Sequence, residues 1–227
     1  MQITVLGSGS AQPTHRRASA GYLVEWPGGA LLLDAAAGTY MRALRAGLDP
    51  RCLRALVLSH LHPDHTADLP ALFWARRQTP GLATPLEIVG PDGTAELLSR
   101  VQALYGSWLD VPREASPFPW ELDGLLVQAF PARHSAEAVC LRLVAGGKAL
   151  AYSGDTGDCE GLRDACRNAD LALLECTTMG AQEGHMTPVD CEAVAAATHP
   201  KRVLLTHLGP AVVATLPVAE DGLAISL

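Results

Sequence analysis

The chain has 227 residues, 48% hydrophobic and 18% charged, enough apolar material for a sizeable buried core. A formal net charge of -7 argues against a generally basic, nucleic-acid-binding surface. The start lacks the basic opening and apolar core of a signal peptide, and apolar stretches such as residues 67–75 are too short to span a bilayer. Six cysteines without a C-x-x-C pair read as buried or half-buried free thiols of a reducing cytosol, so a cytoplasmic protein with no membrane attachment is expected. No linker or repeat divides the chain, which reads as a single domain over residues 1–227.

Residues 2–6 alternate polar and apolar before Gly7-Ser8-Gly9-Ser10, an opening strand running into a tight loop. Residues 22–25 and 30–33 read as strands joined by the turn Pro27-Gly28-Gly29. A helical stretch at 39–46 follows, with Gly47 as its stop. The continuous apolar run 55–58 predicts a buried strand, and 67–77 a helix. Further strands are expected at 86–89, 125–130, 139–144, 149–152, 171–174 and 203–205. Helices are expected at 94–104, 159–167 and 188–198, the last with Thr187 as N-cap and Pro188 in the first turn. Clusters of strands early and late, with helices interspersed, point to an α/β (α+β) architecture of sheets sandwiched between helices.

Chemistry concentrates after the 55–58 run, in His60-Leu61-His62-Pro63-Asp64-His65. In extended backbone His60 and His62 leave the same face, and Asp64 and His65 follow where the chain must turn. Imidazole nitrogens with a carboxylate suit zinc, manganese or iron, and packing four titratable groups together without a cation is costly. His134, Asp155 and His207 each follow a candidate strand. Singly they read as turn or loop residues; with the cluster they supply ligands for two metals, as one rim of a sheet would.

The whole pattern resembles the metallo-β-lactamase-fold hydrolases, a four-layer αββα sandwich, and within them the ribonuclease Z-like branch that includes short cyclic phosphodiesterases. Besides the histidine cluster, Leu6-Gly7-Ser8-Gly9-Ser10-Ala11-Gln12-Pro13-Thr14, Leu33-Asp34-Ala35-Ala36-Ala37-Gly38-Thr39, Leu174-Glu175-Cys176-Thr177 and Gly184-His185-Met186-Thr187 match that branch in order. The resemblance implies that His60, His62 and His134 hold one divalent cation and Asp64, His65 and His207 a second. Asp155 would bridge them and Asp34 would orient a ligand. It implies zinc first, with manganese or iron as alternatives. Two such ions share a hydroxide and clamp the oxygens of a phosphodiester. Asp64 would aim that nucleophile, and His185, supported by Glu175, would protonate the leaving group. A homodimer is also implied.

Two departures matter. Ribonuclease Z carries a gripping arm for transfer RNA between the residues that match His134 and Asp155, whereas here residues 135–154 hold only two strands and the Gly146-Gly147 turn. Pro63 replaces a usual glycine, stiffening the turn. The expected substrate is therefore a small or cyclic phosphodiester or nucleotide, with RNA less favoured. Transfer-RNA 3′-end cleavage, a lactonase or thioesterase on the same scaffold, and a non-enzymatic metal-binding role are the alternatives. Gly7-Ser8-Gly9-Ser10 offers backbone N–H groups for a phosphate, and Arg16 and Arg17 are candidate anion contacts. His15 and His199 read as surface residues.

Overall fold

The computed structural model describes residues 1–82, 85–112 and 114–227. One six-stranded sheet contains β1 (Gln2–Gly7), β2 (Gly21–Trp26), β3 (Gly29–Leu33), β4 (Leu53–Val57), β5 (Glu87–Val89) and β12 (Ala224–Ser226), in the order β12-β1-β2-β3-β4-β5. The other contains β6 (Trp120–Leu122), β7 (Leu125–Pro131), β8 (Val139–Ala145), β9 (Lys148–Tyr152), β10 (Leu171–Glu175) and β11 (Val203–Thr206), ordered β11-β10-β9-β8-β7-β6. Each sheet is antiparallel at one end and parallel at the other. β3, β4 and β5 are mutually parallel, as are β9, β10 and β11.

Side-chain alternation divides the core into three layers. Ile3, Val5, Tyr22, Leu31 and Leu33 meet Leu141, Leu143, Leu150, Tyr152 and Leu173 between the sheets. The alternate residues Leu23, Leu32, Leu56 and Leu58 turn outward, against α1 (Thr39–Arg45), α3 (Leu69–Gln78) and α4 (Thr94–Tyr105). Ala151, Ala172, Leu174 and Leu205 do the same against α5 (Glu160–Cys166) and α6 (Pro188–Thr198). Period-two strands with both faces apolar require covering layers on both sides, and the result is an αββα sandwich. Among the described residues no helix is long and apolar enough to cross a membrane.

The expected elements recur within a residue or two, including the Thr187 cap, whose hydroxyl accepts from Asp190 N–H in a capping box. Three features depart from the sequence reading. The turn after His62 is a helical turn, α2 (Pro63–Thr66), with Pro63 in the first position, where its fixed φ suits a helix start. The three-residue strands β6 and β12 were not expected; runs that short carry no periodicity. Cys52 is exposed rather than buried or half-buried.

Candidate metal centre and its rim

Every expected ligand leaves the C-terminal end of a strand, and these ends share one rim. Asp34 follows β3, His60 to His65 follow β4, and His134 follows β7, which runs in the same direction as β9 because two antiparallel pairings separate them. Asp155 follows β9, Glu175 ends β10 and His207 follows β11. Parallel strands bring such ends together, and loops there escape the sheet's hydrogen bonding.

Two donor groups result. His60, His62 and His134 offer ligand atoms within 4.8 Å of one another, as do Asp64, His65, Asp155 and His207. His134 Nε2 faces His62 Nδ1 at 3.0 Å. Asp155 lies between the groups, with Oδ2 3.8 Å from His60 Nε2 and Oδ1 3.4 Å and 3.3 Å from His65 and His207 Nε2. Asp64 Oδ2 sits 3.3 Å from His207 Nε2 and 3.5 Å from His65 Nε2. His60 Nε2, His65 Nε2 and Asp155 Oδ1 are buried with no hydrogen-bond partner. Buried polar atoms are almost always paired, so three converging orphans mark a place built for a cation.

The far side of each histidine fixes which nitrogen faces inward. His65 Nδ1 donates to Asp34 Oδ2 at 2.7 Å, and His134 Nδ1 donates to the Gly184 carbonyl at 3.0 Å. Gly184 sits at φ 77, and a Cβ there would lie 2.7 Å from His134 Nδ1, so glycine is needed for this approach. The other two use a hydroxyl relay. His60 Nδ1 donates to Ser59 Oγ (3.1 Å), which donates to Asp34 Oδ2 (2.8 Å). His207 Nδ1 donates to Thr177 Oγ1 (2.8 Å), which donates to Glu175 Oε2 (2.8 Å). In the neutral form of each ring Nε2 then carries the lone pair and faces the centre, as a ligand requires. Burial lowers His65, but Asp155 and Asp34 outweigh it and raise it well above an ordinary histidine, so a cation binding there displaces a proton. Asp34 also accepts from Ser59 N–H and from Tyr152 OH, the latter at 2.7 Å. Tyr152 packs edge to face on Tyr22 across the two sheets, which ties the inter-sheet core to the site.

The electrostatics match. Burial opposes the charged form of Asp155 and Asp64, but neighbouring histidines outweigh it, holding Asp155 well below the carboxylate range and Asp64 at about 2. Burial, then His65, pushes His60 down to about 3, so it is a neutral ligand at working pH. His185 Nδ1 donates to Glu175 Oε1 at 2.8 Å, and that bond raises the imidazole above an ordinary histidine. Burial pushes Glu175 up, against the Thr156 N–H, Thr177 N–H, Thr177 hydroxyl and His185 donors it accepts.

These groups open into a pocket of about 340 Å³ whose walls include Gln12, Gln182 and His185. His185 is brought beside the ligands, its ring 4.9 Å from that of His134. The other candidates behave differently. Arg17 is held by Ser8 Oγ (2.6 Å) and the Ala219 carbonyl, clamping the first loop to the C-terminal segment rather than facing the pocket. Arg16, His15 and His199 are exposed. The Ser8, Gly9 and Ser10 amides donate to Asp221, Ala18 and Leu208, so the loop does not present them to a phosphate. Sequence reasoning missed Ser59 and Tyr152 and gave Thr177 no role. Their only signal is adjacency to the donor residues or to Glu175: the Tyr152–Asp34 contact crosses the two sheets, and the Ser59 and Thr177 contacts join the ends of neighbouring strands within one sheet.

The fold and the donor rim define a metallo-β-lactamase-fold hydrolase. A family profile described as a beta-lactamase superfamily domain matches residues 30–208, and the chain belongs to that family, in its ribonuclease Z-like branch. A curated ribonuclease Z of Mycolicibacterium paratuberculosis is 30% identical over 248 aligned positions, covering 94% of this chain and 88% of that one. The crystal structure of the human short-form tRNase Z superimposes with a TM-score of 0.84 at 25% identity, covering 100% of this chain and 99% of the human one. A diphosphatase of the PhnP family shares the fold with a TM-score of 0.80 at 20% identity, over 100% of this chain and 97% of its own.

Proposed function

We propose that the chain is a metal-dependent phosphodiesterase acting on a small or cyclic phosphodiester or nucleotide. The observation that carries this is the Glu175–His185 pair, which opens into the same pocket as two abutting donor groups. His60, His62 and His134 would hold one divalent cation and Asp64, His65 and His207 the other, with Asp155 shared. Nitrogen-rich donors with carboxylates favour zinc, with manganese or iron as alternatives. Such cations supply an activated water at neutral pH and neutralise phosphate oxygens.

The remaining steps belong to the chain's own side chains. Asp64, ionised at working pH, accepts a hydrogen bond from the attacking water and aims it at phosphorus. As the new P–O bond forms, the opposite P–O bond breaks and its oxygen leaves as an alcohol. The proton comes from His185 Nε2, which faces away from the Nδ1 held by Glu175. The raised proton affinity of His185 keeps that proton available near neutrality. Lactone and thioester hydrolysis have less need of such an acid.

Transfer-RNA 3′-end cleavage is the second reading, favoured by the names of the relatives. Against it, β8, β9 and their Gly146-Gly147 turn fill most of the interval between His134 and Asp155, leaving no extended arm. The proposal includes a cytoplasmic homodimer. A panel of bis(p-nitrophenyl) phosphate, nucleoside cyclic monophosphates, a lactone and precursor transfer RNA tests it. Turnover of the small phosphodiesters, abolished in His62→Ala, is expected. His185→Ala should slow poor leaving groups most, and equal slowing of good and poor ones would refute the acid role.

A further inference from the structure

The pocket walls beyond the metal-site side chains are uncharged. Gln12 reaches the pocket from the loop between β1 and β2, and Gln182 from the loop between β10 and α6. Both side chains are exposed, and neither amide has a hydrogen-bond partner among the described residues. Their main chains, by contrast, are fastened. Gln12 N–H donates to Ser10 Oγ (3.4 Å), and the Gln182 carbonyl accepts from His185 N–H (3.2 Å). The first loop is tied to the His207 segment, where Ser10 N–H donates to the Leu208 carbonyl (3.2 Å) and Leu208 N–H to the Ser8 carbonyl (2.9 Å). Each glutamine is thus a free amide on an anchored loop, one tied to the segment that follows His207 and the other to His185.

An amide offers one acceptor and two donors, which complement the edge of a heteroaromatic base; it can donate to a phosphate oxygen but brings no charge to neutralise one, and it offers nothing to an alkyl chain. Among the described lining residues no lysine or arginine is present, while Asp64 and Asp155 line the floor. The charge-neutralising groups are therefore all at the cation centre.

We propose that Gln12 and Gln182 are specificity-determining residues that read the neutral hydrogen-bonding part of a singly charged phosphodiester, the base of a nucleoside cyclic monophosphate. This rests on the phosphodiesterase reading above and deepens it. Gln182 enters the pocket from the loop that carries His185, and Gln12 from the loop tied to the segment after His207. A substrate bearing a second phosphate would bring that group against amides and carboxylates with no cation to receive it.

The test compares wild type, Gln12→Leu and Gln182→Leu on bis(p-nitrophenyl) phosphate, a nucleoside 2′,3′-cyclic monophosphate and the same nucleotide with an added 5′-phosphate. Losing one amide hydrogen bond should raise KM for the cyclic nucleotide by about 3- to 10-fold in at least one variant. KM and kcat for bis(p-nitrophenyl) phosphate should stay within about twofold, the scatter expected of a surface change. Calorimetric binding of a slowly hydrolysed phosphorothioate analogue should weaken in the same variant by the same factor. Wild type should also prefer the cyclic nucleotide without the 5′-phosphate. If both variants leave cyclic-nucleotide KM and analogue binding unchanged, or shift all substrates alike, the glutamine assignment is overturned. Equal or better turnover of the 5′-phosphorylated substrate overturns the single-charge selection. Failure of wild type to hydrolyse any of the three overturns the phosphodiesterase reading itself, a distinct result.

Discussion

Replacing Asp34 by Asn changes one atom at the carboxylate that supports both His65, directly, and His60, through Ser59. Asp34 is fully buried and accepts four hydrogen bonds, from Ser59 N–H (2.8 Å) and hydroxyl (2.8 Å), His65 Nδ1 (2.7 Å) and Tyr152 OH (2.7 Å). An asparagine amide cannot satisfy them in either orientation. With its NH2 where Oδ2 stands, it faces the His65 Nδ1–H, donor against donor, and relief requires moving the proton to His65 Nε2. That nitrogen is a buried orphan aimed at the donor group, so the tautomer change removes a ligand lone pair. With its NH2 where Oδ1 stands, it faces the Ser59 amide. Loss of a buried charge-assisted bond costs roughly 1.5–3 kcal/mol, and loss of a residue orienting a ligand typically costs about 10–100-fold in metal affinity. Asp34→Asn should therefore lower affinity by that factor in a chelator-competition titration monitored by atomic emission. It should also lower the melting temperature of metal-free protein. Affinity within about twofold of wild type, in a variant of unchanged stability, would refute the claim that Asp34 sets the His65 tautomer.

Thr187→Ala removes the hydroxyl that accepts from Asp190 N–H at the start of α6. A loss of about 1 kcal/mol is expected, read as a fall of roughly 2–4 °C in a calorimetric Tm. Cys159, half-buried, takes a hydrogen bond from Cys140 that holds its thiol down to about 5, against an ordinary value near 8.5. Its thiolate therefore forms as pH rises through that value, and alkylation followed by peptide mass spectrometry should already be at its plateau at pH 7. A rate still climbing between pH 8 and 9 would contradict this assignment.

The architecture was legible because apolar runs of strand length alternate with helical stretches, and the residues of the two donor groups follow such runs. His60, His62, His134, Asp155 and His207 need only that reading to be placed on one rim. What was not legible depends on contacts between segments far apart in the chain. Tyr152 meets Asp34 across the two sheets, and nothing in the local sequence marks that phenol as polar support. The relays through Ser59 and Thr177 are equally hidden, since a hydroxyl beside a ligand looks like any loop serine or threonine. Arg17 and the Gly7–Ser10 loop invited a phosphate-binding reading, yet their donors are committed to Asp221, Ala219 and Leu208 near the C-terminus. Pro63, expected only to stiffen a turn, starts the helical turn that carries Asp64 and His65.

The central claim is that two donor groups sharing Asp155 form a two-cation centre. Its most direct test is the metal content of purified chain and of His62→Ala by inductively coupled plasma mass spectrometry. The wild type should hold about two divalent cations per chain and His62→Ala about one. A wild-type content of one or none after reconstitution with zinc and removal of excess would contradict it.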